Sequence, residues 1–234
     1  MNVLGVIPAR GGSKGIGMKN LAPLCGRPLL AYTADAVKES KKLTRTIVST
    51  DDARVADCAR LLGLEVPFMR PASLAADDAP MLPVLQHAIR AMREAGFDAD
   101  MVVLLQPTSP LRRGQHIDAA IDWLQRVRGD SVVSVVELPH QFNPTSVMRL
   151  DEGVLKPFLE GSGPTRRQDK PRLYARNGPA VLAVHARVIE QGSLYGDETW
   201  PLIMTPEESL DIDTPWDLRL AESVVAARSN ADSV

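Results

Sequence analysis

The chain has 234 residues, 44% of them hydrophobic and 24% charged, enough apolar material for a core covered on two sides. Its 27 Lys and Arg against 29 Asp and Glu leave a formal charge of −2. That excludes the broad basic field of a nucleic-acid binder, so any anionic ligand must be held by a local cluster.

In chain order, residues 3–7 form a buried-strand run, and 29–38 have helical spacing. Residues 46–49 read as a strand, 53–62 and 84–95 as helices, and 101–105 as an almost purely apolar strand. A helix over 117–127 and a strand over 131–136 follow. Continuously apolar strands between helices predict a doubly wound α/β fold with a mainly parallel sheet. The rhythm breaks over about 138–176, where Pro139, Pro144, Pro157, Pro164 and Pro171 alternate with Gly153, Gly161 and Gly163. So long an irregular segment is usually a functional excursion. Strands over 180–184 and 202–204, a last helix over 216–226 and a polar, frayed tail from Arg228 complete the pattern.

No apolar run reaches membrane-spanning length, and Pro8 interrupts the first one too early for a secretory signal. Cys25 and Cys58 have neither the number of a disulfide framework nor the spacing of a metal site. A reduced, cytoplasmic protein without a membrane partner is expected.

Residues 8–20, PARGGSKGIGMKN, follow the first strand directly. In open α/β sheets ligands bind beyond the carboxyl ends of strands. Gly11, Gly12, Gly15 and Gly17 expose backbone amides, and Arg10, Lys14 and Lys19 add three cations, which together describe a polyphosphate cradle. It is neither a Walker A loop, because Gly15 follows Lys14, nor a Rossmann G-x-G-x-x-G, because Met18 and Asn20 stand where glycines are needed. The plain alternative is a solvated Gly-rich turn.

Near the other end, SLDIDTPWDL places Asp211 and Asp213 on one side of an extended segment with Ile212 turned inward. Two such carboxylates repel unless a cation lies between them, and Mg²⁺ suits the pair. Thr214, Pro215 and Asp217 also read as a helix cap that Asp213 could help, but capping leaves Asp211 unexplained. Of the polar residues after the strand over 101–105, Thr108 and Ser109 fit a helix N-cap, whereas Gln106 does not. Pro107 and Pro110 rigidify that loop. Arg166 and Arg167 are suited to gripping a carboxylate, or form a solvated basic patch. Arg70 reads either as a ligand contact after a strand ending at Phe68 or as a surface partner of Asp77 or Asp78. His87, His116, His140 and His185 are isolated, and no general base stands out.

PARGGSKGIGMKN, VSTDDARVADCARLLG, VPFMRPASLAADDA, LLQPTSPLR, GPTRRQDKPRLYARNG and SLDIDTPWDL occur in this order. Together they resemble the acylneuraminate cytidylyltransferases, or CMP-sialic acid synthetases, from Val3 to about Glu222. The resemblance implies a Rossmann-like nucleotidyltransferase fold, one domain over 1–234, and a homodimer in which the 138–176 excursion reaches across to the partner. It implies an enzyme that joins CTP to an acidic nine-carbon sugar with release of pyrophosphate. Arg10, Gly11, Gly12, Ser13, Lys14 and Lys19 would hold the CTP phosphates, Asn20 would lie near the nucleoside and Arg70 beside the cytosine. Gln106, Thr108, Ser109, Arg112, Arg167, Asn177 and Tyr195 would serve the sugar side, with Trp200 either there or in the core. Asp211 and Asp213 would carry the catalytic Mg²⁺, with Arg10, Lys14 and Lys19 neutralising the leaving phosphates. The chain departs from the family at Gly17-Met18, at Ala175 with Arg176 displaced by one, and near Ser146. The sugar-side changes leave further acceptor readings: Kdo or another acidic keto-sugar, or legionaminic or pseudaminic acid. A CTP-binding sensor without turnover is the non-enzymatic alternative, against which Asp211 and Asp213 argue.

Overall fold

A computed structural model of the chain describes residues 1–12, 15–159, 166 and 170–231, of which 229–231 are described by backbone alone. The elements are β1 (Val3–Pro8), a short ladder of β2 (Pro23–Leu24) and β3 (Arg27–Pro28), α1 (Leu29–Glu39), β4 (Arg45–Ser49), α2 (Ala53–Leu61) and α3 (Met81–Glu94). Then come β5 (Met101–Leu104), α4 (Gly114–Arg126), β6 (Ser131–Glu137), β7 (Met148–Asp151), β8 (Val154–Pro157) and β9 (Tyr174–Arg176). β10 (Leu182–His185), α5 (Ala186–Glu190), β11 (Thr199–Met204) and α6 (Pro215–Ala231) complete the chain.

Among the described residues the main sheet has the order β11-β6-β10-β5-β1-β4, with β9 also paired to β6. β1 runs parallel to β4 and β5, and β11 parallel to β6, whereas β10 runs antiparallel to both β5 and β6. β9 pairs antiparallel with the far end of β6, through Val135 opposite Arg176 and Glu137 opposite Tyr174. β9 and β10 are thus one antiparallel path along β6, interrupted over 177–181. The mainly parallel expectation holds, with this one reversed path inside it.

Alternation along the strands sends side chains to two cores. Val3, Ile7, Val48, Met101 and Val103 pack on Leu30, Val55, Ile117 and Leu124 of α1, α2 and α4. Leu4, Val6, Ile47, Val102 and Leu104 pack on Leu85, Ile89, Met92 and Ile189 of α3 and α5. A smaller cluster of Leu24, Leu29, Ile212 and Ala221 seats α6 against the ladder of β2 and β3.

Three elements differ from the sequence expectation. Residues 65–69 are not a strand; they touch β4 and its extension through single bridges, Ile47 to Glu65 and Thr50 to Met69. The 138–176 stretch contains a regular hairpin, β7 with β8, turning at Glu152 and Gly153, both at positive φ, as two-residue hairpin turns require. α6 continues to Ala231 instead of ending near residue 226.

Packing between the central strands is tight enough to exclude a methyl group. A Cβ at Gly5 would lie 2.7 Å from Thr46 Oγ1 and 3.0 Å from its Cγ2, and a β-branched side chain cannot swing away. We predict that Gly5→Ala costs about 1–3 kcal/mol in urea unfolding. Adding Thr46→Ala should recover most of that loss relative to Thr46→Ala alone, and simple additivity of the two would refute the clash.

Candidate active site

The site grows from the carboxyl ends of β1, β4 and β5. β1 ends at Pro8, and the Gly-rich loop turns over the end of β4, with Gly11 N–H donating to Asp51 Oδ1 at 3.0 Å. A Cβ at Gly11 would lie 2.6 Å from the Asp52 side chain, so only glycine passes there. Asp52 caps α2 through Arg54 N–H at 2.8 Å, and hydrogen bonds from Arg54 hold its carboxyl down to about 2. Arg10 forms an ion pair with Asp77 across the mouth of the cleft. Asn20 is buried, its amide donating to Arg10 O at 2.9 Å.

Arg70 is buried, which rules out the surface ion pair as its role. Its main chain is tied to Thr50 O at 2.7 Å, and its guanidinium donates to Ser49 Oγ at 3.0 Å and to the Ser49 carbonyl. Burial lowers its pKa to about 10, partly offset by Asp51. A cation held this way at the cleft wall is available to an anion or a polar ring edge.

The acidic segment closes the cleft from the other side. Ile212 is wholly buried, its N–H donating to Thr108 O at 2.8 Å, which fixes the alternation expected for Asp211 and Asp213. Lys19 donates from Nζ to Ile212 O at 2.8 Å and to Asp213 Oδ1 at 2.9 Å. A Cβ at Gly15 would lie 2.3 Å from Asp213 O, so the Gly-rich loop and the acidic segment touch backbone to backbone. The cap of α6 is built from Thr214 and Asp217: Asp217 Oδ2 accepts from Thr214 N–H at 2.7 Å and Thr214 Oγ1 at 2.8 Å, and Asp217 N–H donates to Thr214 Oγ1 at 3.3 Å. Asp213 lends that cap only its N–H, at 3.1 Å, and its carboxylate faces Lys19 instead. Among the described residues, Asp211 Oδ1 is buried without a hydrogen-bond partner. Burial raises the Asp211 pKa and Asp213 adds to the rise, against the opposing Thr108 hydroxyl and Lys19.

Beyond β5, the loop carrying Gln106, Thr108, Ser109 and Arg112 meets the turn at 177–180. Gln106 Nε2 donates to Gly178 O at 3.2 Å. Gly178 has φ +120, and a Cβ there would lie 3.2 Å from Ser109 Oγ and 3.6 Å from Asp211 Cγ. Asn177 is buried, accepting from Ser134 Oγ at 2.5 Å and donating to Ser209 Oγ at 2.9 Å. It therefore shapes the turn from below.

A cavity of about 160 Å³ is lined by Arg10, Gly12, Lys19, Asn20, Arg70, Gln106 and Thr108, together with Pro8, Met81 and Pro107. It gathers residues that the sequence separates by nearly a hundred positions. Of the described candidates, Gly11, Ser109, Arg112, Asn177, Tyr195, Asp211 and Asp213 do not line it. Arg112 is 3% exposed, and its guanidinium is spent on carbonyls of the protein itself. Tyr195 is half-buried against the core on the α3 side, its carbonyl accepts from Ser131 Oγ at 2.6 Å, and Arg176 stacks over its ring at 4.7 Å. Ser131 begins β6, at the sheet edge opposite the cleft. Trp200 packs edge-on to Trp123 on the outer strand β11. Ser13, Lys14 and Arg167 lie outside the described residues. Sequence reasoning missed Asp51, Asp77 and Met81; the first two sit inside quoted motifs, but nothing in the spacing marks them as partners of the Gly-rich loop.

The family model described as cytidylyltransferase matches residues 4–224. The chain is 35% identical over 234 residues to the CMP-N,N'-diacetyllegionaminic acid synthase of Legionella pneumophila, with 99% of each chain covered. It is 31% identical to the N-acylneuraminate cytidylyltransferase of Escherichia coli over 95% of this chain, and spans about half (52%) of that relative. The solved structure of a CMP:2-keto-3-deoxy-manno-octonic acid synthetase complexed with CTP superposes with a TM-score of 0.72 at 16% identity, covering 97% of this chain and 100% of the other, a likeness of fold. With a cleft built from a Gly-rich cationic loop locked to a pair of aspartates, and a family match over almost its whole length, the chain belongs to the cytidylyltransferase family.

Proposed function

We propose that this enzyme joins CTP to a sialic-acid-like nonulosonic acid, giving the CMP-sugar and pyrophosphate. The observation that carries the reading is the Lys19 bridge, which draws the Gly-rich loop and the Asp211–Asp213 segment to one cleft. The relative matched over its whole length acts on an acidic nine-carbon sugar by its name, which favours that class over Kdo, whose synthetase shares only the fold. A cytoplasmic setting goes with two free cysteines; among the described residues no helix is long and apolar enough to cross a membrane.

Arg10, Gly11, Gly12 and Lys19, with Ser13 and Lys14 of the same loop, hold the triphosphate, Asn20 the nucleoside side and Arg70 the base. Arg10 must exchange Asp77 for phosphate oxygens, which are the stronger partner when multiply charged. The cationic loop neutralises charge as it moves onto the departing pyrophosphate. Gln106 and Thr108 face the sugar, with Ser109 wholly buried behind them; the sugar's anomeric hydroxyl attacks the α-phosphorus, and Arg167 is assigned to its carboxylate.

The residues fit Mg²⁺. Among the described residues, Asp211 Oδ1 is buried and makes no hydrogen bond, with the Thr108 hydroxyl beside that carboxylate. One or two carboxylates supplemented by waters and phosphate oxygens are what Mg²⁺ favours. Asp211 would hold it, with Asp213 released from Lys19; the ion supplies Lewis-acid polarisation of the α-phosphate when bound.

We also propose a homodimer built on the excursion. In the hairpin of β7 and β8, Leu150 is 72% and Leu155 63% exposed, with Met148, Val154, Phe158 and Phe142 exposed nearby. A monomer rarely shows so contiguous an apolar patch, and a second copy of the same hairpin is the occupant that goes with the family reading.

Pyrophosphate release from CTP and Mg²⁺ should appear with an acidic nine-carbon sugar, legionaminic or N-acetylneuraminic acid, and be absent with Kdo, with no sugar, or with EDTA. Release with Kdo alone would transfer the assignment to that sugar, and CTP binding without release would favour the sensor. Asp211→Asn should keep the fold by circular dichroism but lower turnover about a thousandfold, the size of several kcal/mol of lost charge stabilisation; full activity in that variant would remove the metal assignment. Leu150→Glu with Leu155→Glu should convert a particle of twice the chain mass into a monomer in light scattering, and an unchanged mass would exclude the hairpin as the interface.

A further inference from the structure

We infer that Arg112 is a positioning residue for the sugar half of the cleft, acting through Gln106 and the 177–180 turn without touching substrate. The inference rests on the proposed acidic-sugar reading and names what holds that half in shape. The residue is 3% exposed. Its Nη1 donates to Gln106 O at 3.0 Å and to Ala180 O at 2.8 Å, and its Nη2 to Thr33 Oγ1 at 2.7 Å. Its Nε is buried without a partner. A buried cation satisfied by carbonyls and a hydroxyl is a costly way to fill space, since an apolar side chain of similar volume packs there without the desolvation penalty.

The placement explains what the cost obtains. The ladder between β5 and β10 ends where Leu104 faces Leu182. Past that pair the two chains splay, one into Gln106 and the other back into Ala180. Arg112 takes a carbonyl from each splayed end on a single nitrogen, while its second nitrogen anchors to α1. The gap so fixed is the one that Gln106 spans with its side chain to reach Gly178 O, and Gly178 is the residue lying against Asp211 and Ser109. Among the described residues, the CTP loop makes no hydrogen bond to this clamp. Lysine cannot replace it, because a single ammonium on a flexible stem lacks the planar fork that reaches α1 and both carbonyls together.

The test separates the two substrates. Arg112→Lys should raise the KM for the acidic sugar about tenfold and leave that for CTP within about twofold, the loss of roughly one charge-assisted hydrogen bond. Thr33→Val, which removes only the α1 anchor, should raise the sugar KM about threefold with the CTP value again unmoved. Equal rises in both constants, or an unchanged sugar KM with only a lowered melting temperature, would make Arg112 a structural residue and overturn the inference. If Arg112→Lys does not fold, Thr33→Val alone decides on the same criterion. Failure of the underlying reading would look different, since wild-type enzyme would then release no pyrophosphate with any acidic sugar.

Discussion

Lys19 and Ile212 are separated by 193 positions in the chain, yet a hydrogen bond of 2.8 Å joins them. Everything that the cleft can do depends on that join. The Gly-rich loop alone offers cations and amides, and the acidic segment alone offers carboxylates. Held apart, each is an ordinary surface loop. Held together, they set positive and negative charge side by side in one cleft, as the proposed phosphate and metal sites require. The contact tolerates nothing larger than glycine at position 15, where a Cβ would meet Asp213 O at 2.3 Å. Ile212 provides the apolar half of the same lock: buried in the cluster with Leu24, Leu29 and Ala221, it fixes the segment so that Asp211 and Asp213 cannot rotate away.

The sheet brings the remaining parts to the same edge by polarity. Parallel strands β1, β4 and β5 all present their carboxyl ends there. A turn preceding a parallel strand would lie at the wrong edge. Because β10 is antiparallel to β5, its amino end arrives at the cleft, and the turn at 177–180 comes with it. One reversed strand thus lets a segment from the far side of the excursion form a wall against Asp211.

The parts that were legible in the sequence are those whose signal is local. The apolar run of β5 reads as a buried strand because both of its faces are covered, and the glycines and cations of residues 10–19 sit within one loop. The direction of β10 was not legible, since Leu182, Ala183 and Val184 have the same pattern read either way. The hairpin of β7 and β8 was hidden because its apolar side chains are exposed on a small sheet with no core beneath them. Asp51 and Asp77 act on the Gly-rich loop across sequence distances of 40 and 67 residues, which no motif spacing encodes. That Arg112 and Tyr195 turn away from the cavity was hidden for the same reason in reverse: a polar side chain near a motif carries no mark of which way it points.

The two halves of the cleft are therefore built on different physics. On the proposed nucleotide side, Arg10 and Lys19 reach the cavity and would bind by charge, which depends little on the exact shape of what carries it. On the proposed sugar side, Asn177, Ser109 and Arg112 are buried, and on that reading specificity lies in the spacing of Gln106, Gly178 and Asp211. A change of acceptor then needs only a changed turn or clamp, with the phosphate machinery left intact. The departures of this chain from the acylneuraminate pattern at Ala175 and Arg176 and near Ser146 fall in the excursion and beside the turn; the cationic loop departs only at Gly17-Met18, and its Arg10, Lys14 and Lys19 and the aspartate pair are present in the sequence. A family that keeps one donor and varies its acidic sugars would be expected to change on that side.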